Sequence, residues 1–179
     1  MSTPDSPQAS SNATDAKTEL PSGLSAEQLD QFAKLAKEQA TKVISKVPAL
    51  GAVSWLMMQQ PNTKHMLLSE LDWRVMPALT LDQAKLYLRD SFPIAYVSWA
   101  KMSPQAAERY KHAPHHVSPS DWKSGDQIWL VDFVTPFGGA KEVLADLREK
   151  VFAGQVLNQL VPTEALQAKA VSWPAVGVK

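Results

Sequence analysis

The sequence predicts an α/β (α+β) fold, a mixed central sheet flanked by helices. Three observations predict it. The first third of the chain carries helical patterns. A strand–turn–strand pattern follows, and then a strand that leads through a corner into a helix. That order lays helices on a sheet. With 179 residues the chain is long enough for one domain with a real core and hardly for two.

The elements follow in order. Residues 1–24 are rich in Ser, Thr, Pro, Asp and Ala. They bury too little to offset ordering entropy and are predicted to be a disordered tail. Ser25 and Gln28 form a capping-box pattern, and Leu29, Phe32, Leu35, Ala36, Val43 and Ile44 recur near helical spacing. This predicts an N-terminal helix over 25–47, stopped by Pro48. An added arm, a dimer contact and a cover for the core all fit it. "ALGAVSWLMMQQP" predicts a second, more buried helix ending at Pro61, and "LLSELDWRVMPAL" a third ending near Pro77. "AKLYLRDSFPIAYVSWAKMS" reads as an antiparallel hairpin turning at Asp90 and Ser91, with Pro93 opening its second strand. Ser103 and Pro104 are a cap and first position for the short helix "SPQAAERYKH". "APHHVSPSDWKSGDQ" is a loop, "IWLVDFVTP" a strand and "AKEVLADLREKVF" a helix. "QVLNQLVP" and "QAKAVSWPAV" supply one or two last strands.

Composition bounds the function. Lys plus Arg and Asp plus Glu are 18 each, so the net charge is zero, with no footprint for nucleic acid or an anionic membrane. The chain has no cysteine, which excludes thiolate catalysis, disulfides and cysteine zinc sites. No run of about 18 apolar residues predicts a membrane span. The N-terminus has no basic flank before an apolar stretch, so a secretory signal is not expected and the expected location is cytoplasmic.

"LGAVSWL", then Pro61 and His65, then "VMPAL", "FPIAYVSWA" and "DWKSGDQIWLVDFVTPFGG" occur in one consistent order between residues 50 and 152. These motifs resemble the RTX toxin-activating lysine acyltransferases, the hemolysin-activator family. The resemblance implies a GNAT-like acyltransferase fold, with residues 25–179 as one acyltransferase domain and 25–47 as an extra helix. It also implies fatty-acyl transfer from acyl carrier protein to internal lysines of an RTX protoxin, by a homodimer in the cytoplasm. No tightly bound cofactor is implied; the phosphopantetheine thioester of the carrier protein is a co-substrate. The family's catalytic histidine falls on His65, two residues later after Pro61 than the family pattern has it, and the catalytic aspartate on Asp132. Where the family has an asparagine before its Val-Leu-Pro, this chain has Arg74. A non-catalytic relative that binds carrier protein or an RTX partner, and a GNAT-type enzyme with another amine substrate, remain as alternatives.

The residue types suit that chemistry. Lysine, with a pKa of about 10.4, is charged at neutral pH and must lose a proton before it attacks a thioester. Imidazole is a suitable base, and a carboxylate on a neighbouring strand orients it or draws in the ammonium. Direct transfer and an acyl-histidine intermediate both fit. The corner Pro136, Phe137, Gly138, Gly139 opens a helix, whose N-terminus favours the phosphate of a phosphopantetheine arm, and its glycines allow close approach. On that reading the corner stands beside Asp132. Arg74, Tyr96 and Ser98 are candidate lining residues. His112, His115 and His116 lie in a Pro-rich loop with no matching acidic motif, and no metal site is expected. Trp55, Trp99 and Trp129, with Met57, Met58 and Met102, are expected in the core.

Overall fold

The computed structural model describes residues 25–112, 114–163 and 168–177. The expected tail, 1–24, lies outside the described residues. By internal contacts the chain divides into two units, Met1–Lys37 and Glu38–Lys179.

Helix α1 (Ala26–Ser45) starts on a reciprocal capping box. Ser25 N–H donates to Gln28 Oε1 at 2.9 Å, and Gln28 N–H donates to Ser25 Oγ at 3.2 Å. None of its residues is buried, and Phe32, Leu35 and Ile44 are more than half exposed. Helix α2 (Val47–Gln59) begins at once, with Pro48 in its first turn, where a missing N–H does no harm. It ends where Gln60 turns extended ahead of Pro61. Val53, Leu56 and Met57 form its buried stripe. Met58, next round the helix, is 65% exposed rather than in the core.

The third helix is split into α3 (Glu70–Arg74) and α4 (Met76–Thr80). Pro77 explains the break, because it carries no N–H for the Trp73 carbonyl and its ring crowds the preceding turn. Strands β1 (Ala84–Arg89) and β2 (Phe92–Met102) form the expected hairpin. Asp90 and Ser91 both take positive φ, 49° and 70°, as a two-residue turn matched to strand twist requires. Helix α5 (Pro104–Lys111) has its cap as read, with Ser103 Oγ accepting the Ala106 N–H at 3.2 Å. Ser103→Ala is expected to lower unfolding free energy by about 1 kcal/mol. A shift in urea midpoint at constant m-value measures it, and an unchanged midpoint would show that the cap contributes nothing.

Strand β3 (Gln127–Val134) leads through the corner to α6 (Ala140–Asp146), which continues as a π-helical turn (Leu147–Val151). Strands β4 (Leu157–Pro162) and β5 (Ala168–Trp173) complete the sheet, so both tail segments form strands. Among the described residues the sheet has five strands in the order β1-β2-β3-β4-β5, all neighbours antiparallel except β3 and β4. It is the mixed sheet with flanking helices that the sequence predicts, compatible with a GNAT-like fold.

Alternation along β2 divides the core. Ala95, Val97 and Trp99 pack on one face with Val143, Leu147 and Phe152 from the α6 segment. Tyr96 packs on the other face with α2 and α4, and Ala100 and Met102 pack there with α5. Ser98 lies between those two apolar clusters, and that is where the polar site forms.

Candidate active site

A β-bulge creates the site. Ser98 pairs with Asp132 and Trp99 with Leu130, which leaves Val131 as an extra residue in β3. Strict alternation from Trp129 would send Asp132 to the α6 face. The extra residue shifts the phase, so Asp132 and Val134 stand on the face covered by α2, α4 and α5, beside Ser98 and Tyr96. The sheet also opens here: β3 pairs with β4 only from Ile128 to Leu130 and runs on from there beside β2 alone.

Asp132 is buried, with no side-chain surface exposed. Arg74 donates to its Oδ1 from Nε at 2.7 Å, and a terminal guanidinium nitrogen lies 2.7 Å from the same oxygen. Ser98 Oγ donates to Oδ2 at 3.1 Å and accepts the Asp132 N–H at 3.1 Å. Burial pushes the Asp132 carboxyl above the usual carboxylate range, and Arg74 and Ser98 pull it part of the way back. Burial would lower the Arg74 guanidinium, but the attraction of Asp132 outweighs it and the net shift is upward. Arg74 is therefore always charged. Tyr96 and Tyr110 stand in the same field. Burial first and Asp132 second raise both phenols, which remain neutral donors. Among the described residues the Tyr96 hydroxyl makes no well-formed hydrogen bond.

His65 closes the turn after α2. Gln60 pins the start of that turn to the end of β3: its Oε1 accepts the Thr135 N–H at 2.8 Å and its Nε2 donates to the Phe133 carbonyl at 3.4 Å. Thr63 Oγ1 donates to the Met57 carbonyl at 2.7 Å. His65 itself is exposed, with no hydrogen bond or ion pair among the described residues. The structure therefore joins Asp132 to Arg74 and Ser98, not to His65. The link between His65 and the cluster is its neighbour Met66, whose sulfur accepts from Arg74 at 3.7 Å.

The corner turns through Gly138 and Gly139, with φ of 86° and 79°, values that favour glycine. Pro136 is half-buried, while Phe137 is 54% exposed and packs against Trp55 and Phe92. A cavity of about 470 Å³ beside the corner has Tyr87, Ala95, Val143 and the two glycines in its lining, with Arg89 and the carboxylates of Glu142 and Asp146 as its charged groups. Tyr87, Ala95 and Val143 belong to the face covered by α6. The glycines of the corner thus open on the opposite face from the Asp132 carboxylate, because the bulge turns that carboxylate over, while Phe137 packs on Trp55 on the Asp132 side.

Two residues escaped the sequence reading. Tyr110 gives no signal beyond the apolar stripe of α5, and Gln60 looks like a helix-end amide. The loop after α5 also approaches the cluster: His115 Nδ1 lies 2.9 Å from the Tyr110 carbonyl, and the His116 ring stacks 4.3 Å from Trp73. No group of three potential metal ligands gathers among the described residues.

Residues 42–173 match the model of the RTX toxin acyltransferase family. An RTX-II toxin-activating lysine-acyltransferase of Actinobacillus pleuropneumoniae is 36% identical over 101 residues, 56% of this chain and 63% of its own length. A lysine-acyltransferase of Vibrio cholerae is 36% identical over 105 residues, 58% and 68% of the two chains. A protein-lysine myristoyltransferase of Escherichia coli is 35% identical over 101 residues, 56% and 58%. The chain thus spans about three fifths to two thirds of the length of these relatives. The family match covers α2, the whole sheet, the bulge with Asp132 and the turn with His65, and so the chain belongs to the RTX toxin acyltransferase family.

Proposed function

We propose that the protein moves a fatty acyl group from acyl carrier protein to internal lysines of an RTX protoxin or RTX-type protein, and so activates it. The relatives named as toxin-activating lysine acyltransferases support the reading. The observation that carries it is the bulged Asp132, buried beneath a cationic Arg74 whose other contact adjoins His65. His65, exposed and without a hydrogen bond or ion pair among the described residues, takes the proton of an incoming lysine. The amine attacks the thioester carbonyl, and the thiol of the carrier arm leaves. The corner Pro136–Gly139 receives the phosphate of that arm, and Arg89, which makes no ion pair among the described residues, offsets the lining acids Glu142 and Asp146 there. The arm passes through the gap where β3 leaves β4 to bring its thioester to the Asp132 face. The exposed stripe of Leu29, Phe32, Leu35 and Ile44 on α1 meets a second copy, giving a homodimer. Transfer takes place in the cytoplasm, before the target is exported. No described helix is long and apolar enough to cross a membrane.

One observation favours a non-catalytic relative that binds carrier protein or an RTX partner. Asp132 is fully engaged and out of reach of a substrate amine. Co-expression with candidate RTX proteins, followed by mass spectrometry, separates the two readings. Lysine residues carrying an added fatty-acyl mass are expected. Carrier-protein binding with no modified lysine on any candidate would replace the first reading with the second.

A further inference from the structure

We infer that Arg74 is the charged group that meets the substrate, and that Asp132 acts through it as a positioning residue. The role is to donate to the thioester carbonyl oxygen as negative charge develops there. The inference rests on the acyl-transfer reading and assigns its central electrostatic task.

Access decides between the two charges. Asp132 has no exposed side-chain surface, while a quarter of the Arg74 side chain is exposed. Of the two side chains, only Arg74 offers surface to an approaching substrate. A guanidinium has five N–H donors. Nε and one terminal nitrogen lie 2.7 Å from Asp132 Oδ1, and the other terminal nitrogen donates to Met66 Sδ at 3.7 Å. These contacts engage three of the five, and each terminal nitrogen keeps one N–H.

Rigidity is the second part of the argument. The Ser98 hydroxyl fixes Oδ2 and the Asp132 backbone N–H, so the carboxylate cannot rotate. Through Oδ1 it fixes the plane of the guanidinium. Donors already oriented in a half-buried place need no reorganisation during reaction, which is the condition for strong transition-state stabilisation. The pair is neutral as a whole, so Asp132 does not repel an oxyanion, and Tyr96 and Tyr110 add no negative charge.

The step balances. The lysine nitrogen lone pair forms a C–N bond to the carbonyl carbon, and the carbonyl π pair moves onto oxygen, facing Arg74. Collapse re-forms the carbonyl and breaks the C–S bond, whose electron pair leaves on sulfur. The proton from the amine passes to His65 and then to the thiolate. Amide and thiol result.

Steady-state acylation of an RTX protein by acyl carrier protein tests the role. Arg74→Gln keeps a hydrogen bond to Asp132 and removes the charge. It is expected to lower kcat by about 10²-fold to 10³-fold, with both KM values nearly unchanged. Arg74→Lys is expected to recover part of the rate. Asp132→Asn is expected to lower kcat by a smaller factor. Arg74→Gly supplemented with methylguanidinium should regain activity in proportion to the added cation, which a structural role would not produce. A folded Arg74→Gln protein with wild-type kcat would overturn the inference, as would a loss confined to KM or an absence of rescue in folded Arg74→Gly. If Arg74→Gly does not fold, the Arg74→Gln result decides. A wild-type protein that acylates nothing would remove the acyl-transfer reading and this role together. Active wild type with equally active Arg74→Gln would remove only the role.

Discussion

His65→Ala is expected to lower kcat for lysine acylation by about 10²-fold to 10⁴-fold, the usual contribution of a general base. The fold should not notice. His65 is exposed and makes no hydrogen bond or ion pair among the described residues, and the turn that carries it is held by Gln60 and Thr63 instead. Circular dichroism and thermal midpoint should therefore match wild type. The structure also bears on the double variant. A base and an orienting carboxylate in direct contact would act as one unit, with losses far from additive. Here the carboxylate contacts Arg74 and Ser98 rather than His65, so coupling between His65 and Asp132 is indirect. A double-mutant cycle is expected to show partial coupling, with His65→Ala/Asp132→Asn slower than either single variant. The counter-result is specific. Wild-type rates in His65→Ala with a dead His115→Ala or His116→Ala would move the base to the loop packed on Tyr110 and Trp73.

Local rules were legible in the sequence, and phase was not. Ser103 with Pro104 announced α5, and Asp90 with Ser91 announced the hairpin turn. Both signals lie within four residues of the structure they specify. Alternation in "IWLVDFV" pointed to a strand with an aspartate inside it. It could not show which face the aspartate takes, because one bulge residue reverses the answer. That is why the glycine corner reads from sequence as a neighbour of Asp132 and stands instead across the sheet. The Arg74–Asp132 pair joins residues 58 positions apart, and no spacing rule reaches that far. The motifs identified the positions that build the site, but their contacts came from α3 folding down on β3. Pro77 contributes by ending α3 at Arg74. Trp99 and Trp129 were read correctly as core, while Trp55 is only half-buried and joins the aromatic group with Phe92 and Phe137.

Gly125→Ala is expected to be among the most damaging single-methyl changes in the chain, although Gly125 lies in a loop that reads as an ordinary turn. A Cβ there would stand 2.6 Å from Ser103 N and Cα and 2.7 Å from the Met102 carbonyl oxygen. All three are backbone atoms, so no side chain can swing aside. The strand end and the loop are also sewn together. Ser124 and Gly125 N–H both donate to the Lys101 carbonyl, at 2.8 and 3.1 Å, and Ser103 N–H donates to Ser124 Oγ at 2.9 Å. Relief requires the loop to lift, and with it Trp122, which is fully buried in the cluster of Tyr110 and Trp129. Overpacking of this kind costs about 1–3 kcal/mol, and backbone-on-backbone contact puts Gly125 at the upper end. For a domain of this size that is a fall in Tm of roughly 6–12 °C. Gly51→Ala is the contrast. Gly51 lies in α2 with nothing within 4 Å of its added Cβ, so helix propensity alone should raise stability by about 0.5–1 kcal/mol. Calorimetry on the two variants is expected to move Tm in opposite directions. A Gly125→Ala midpoint within a degree of wild type would mean that the loop can lift without disturbing Trp122.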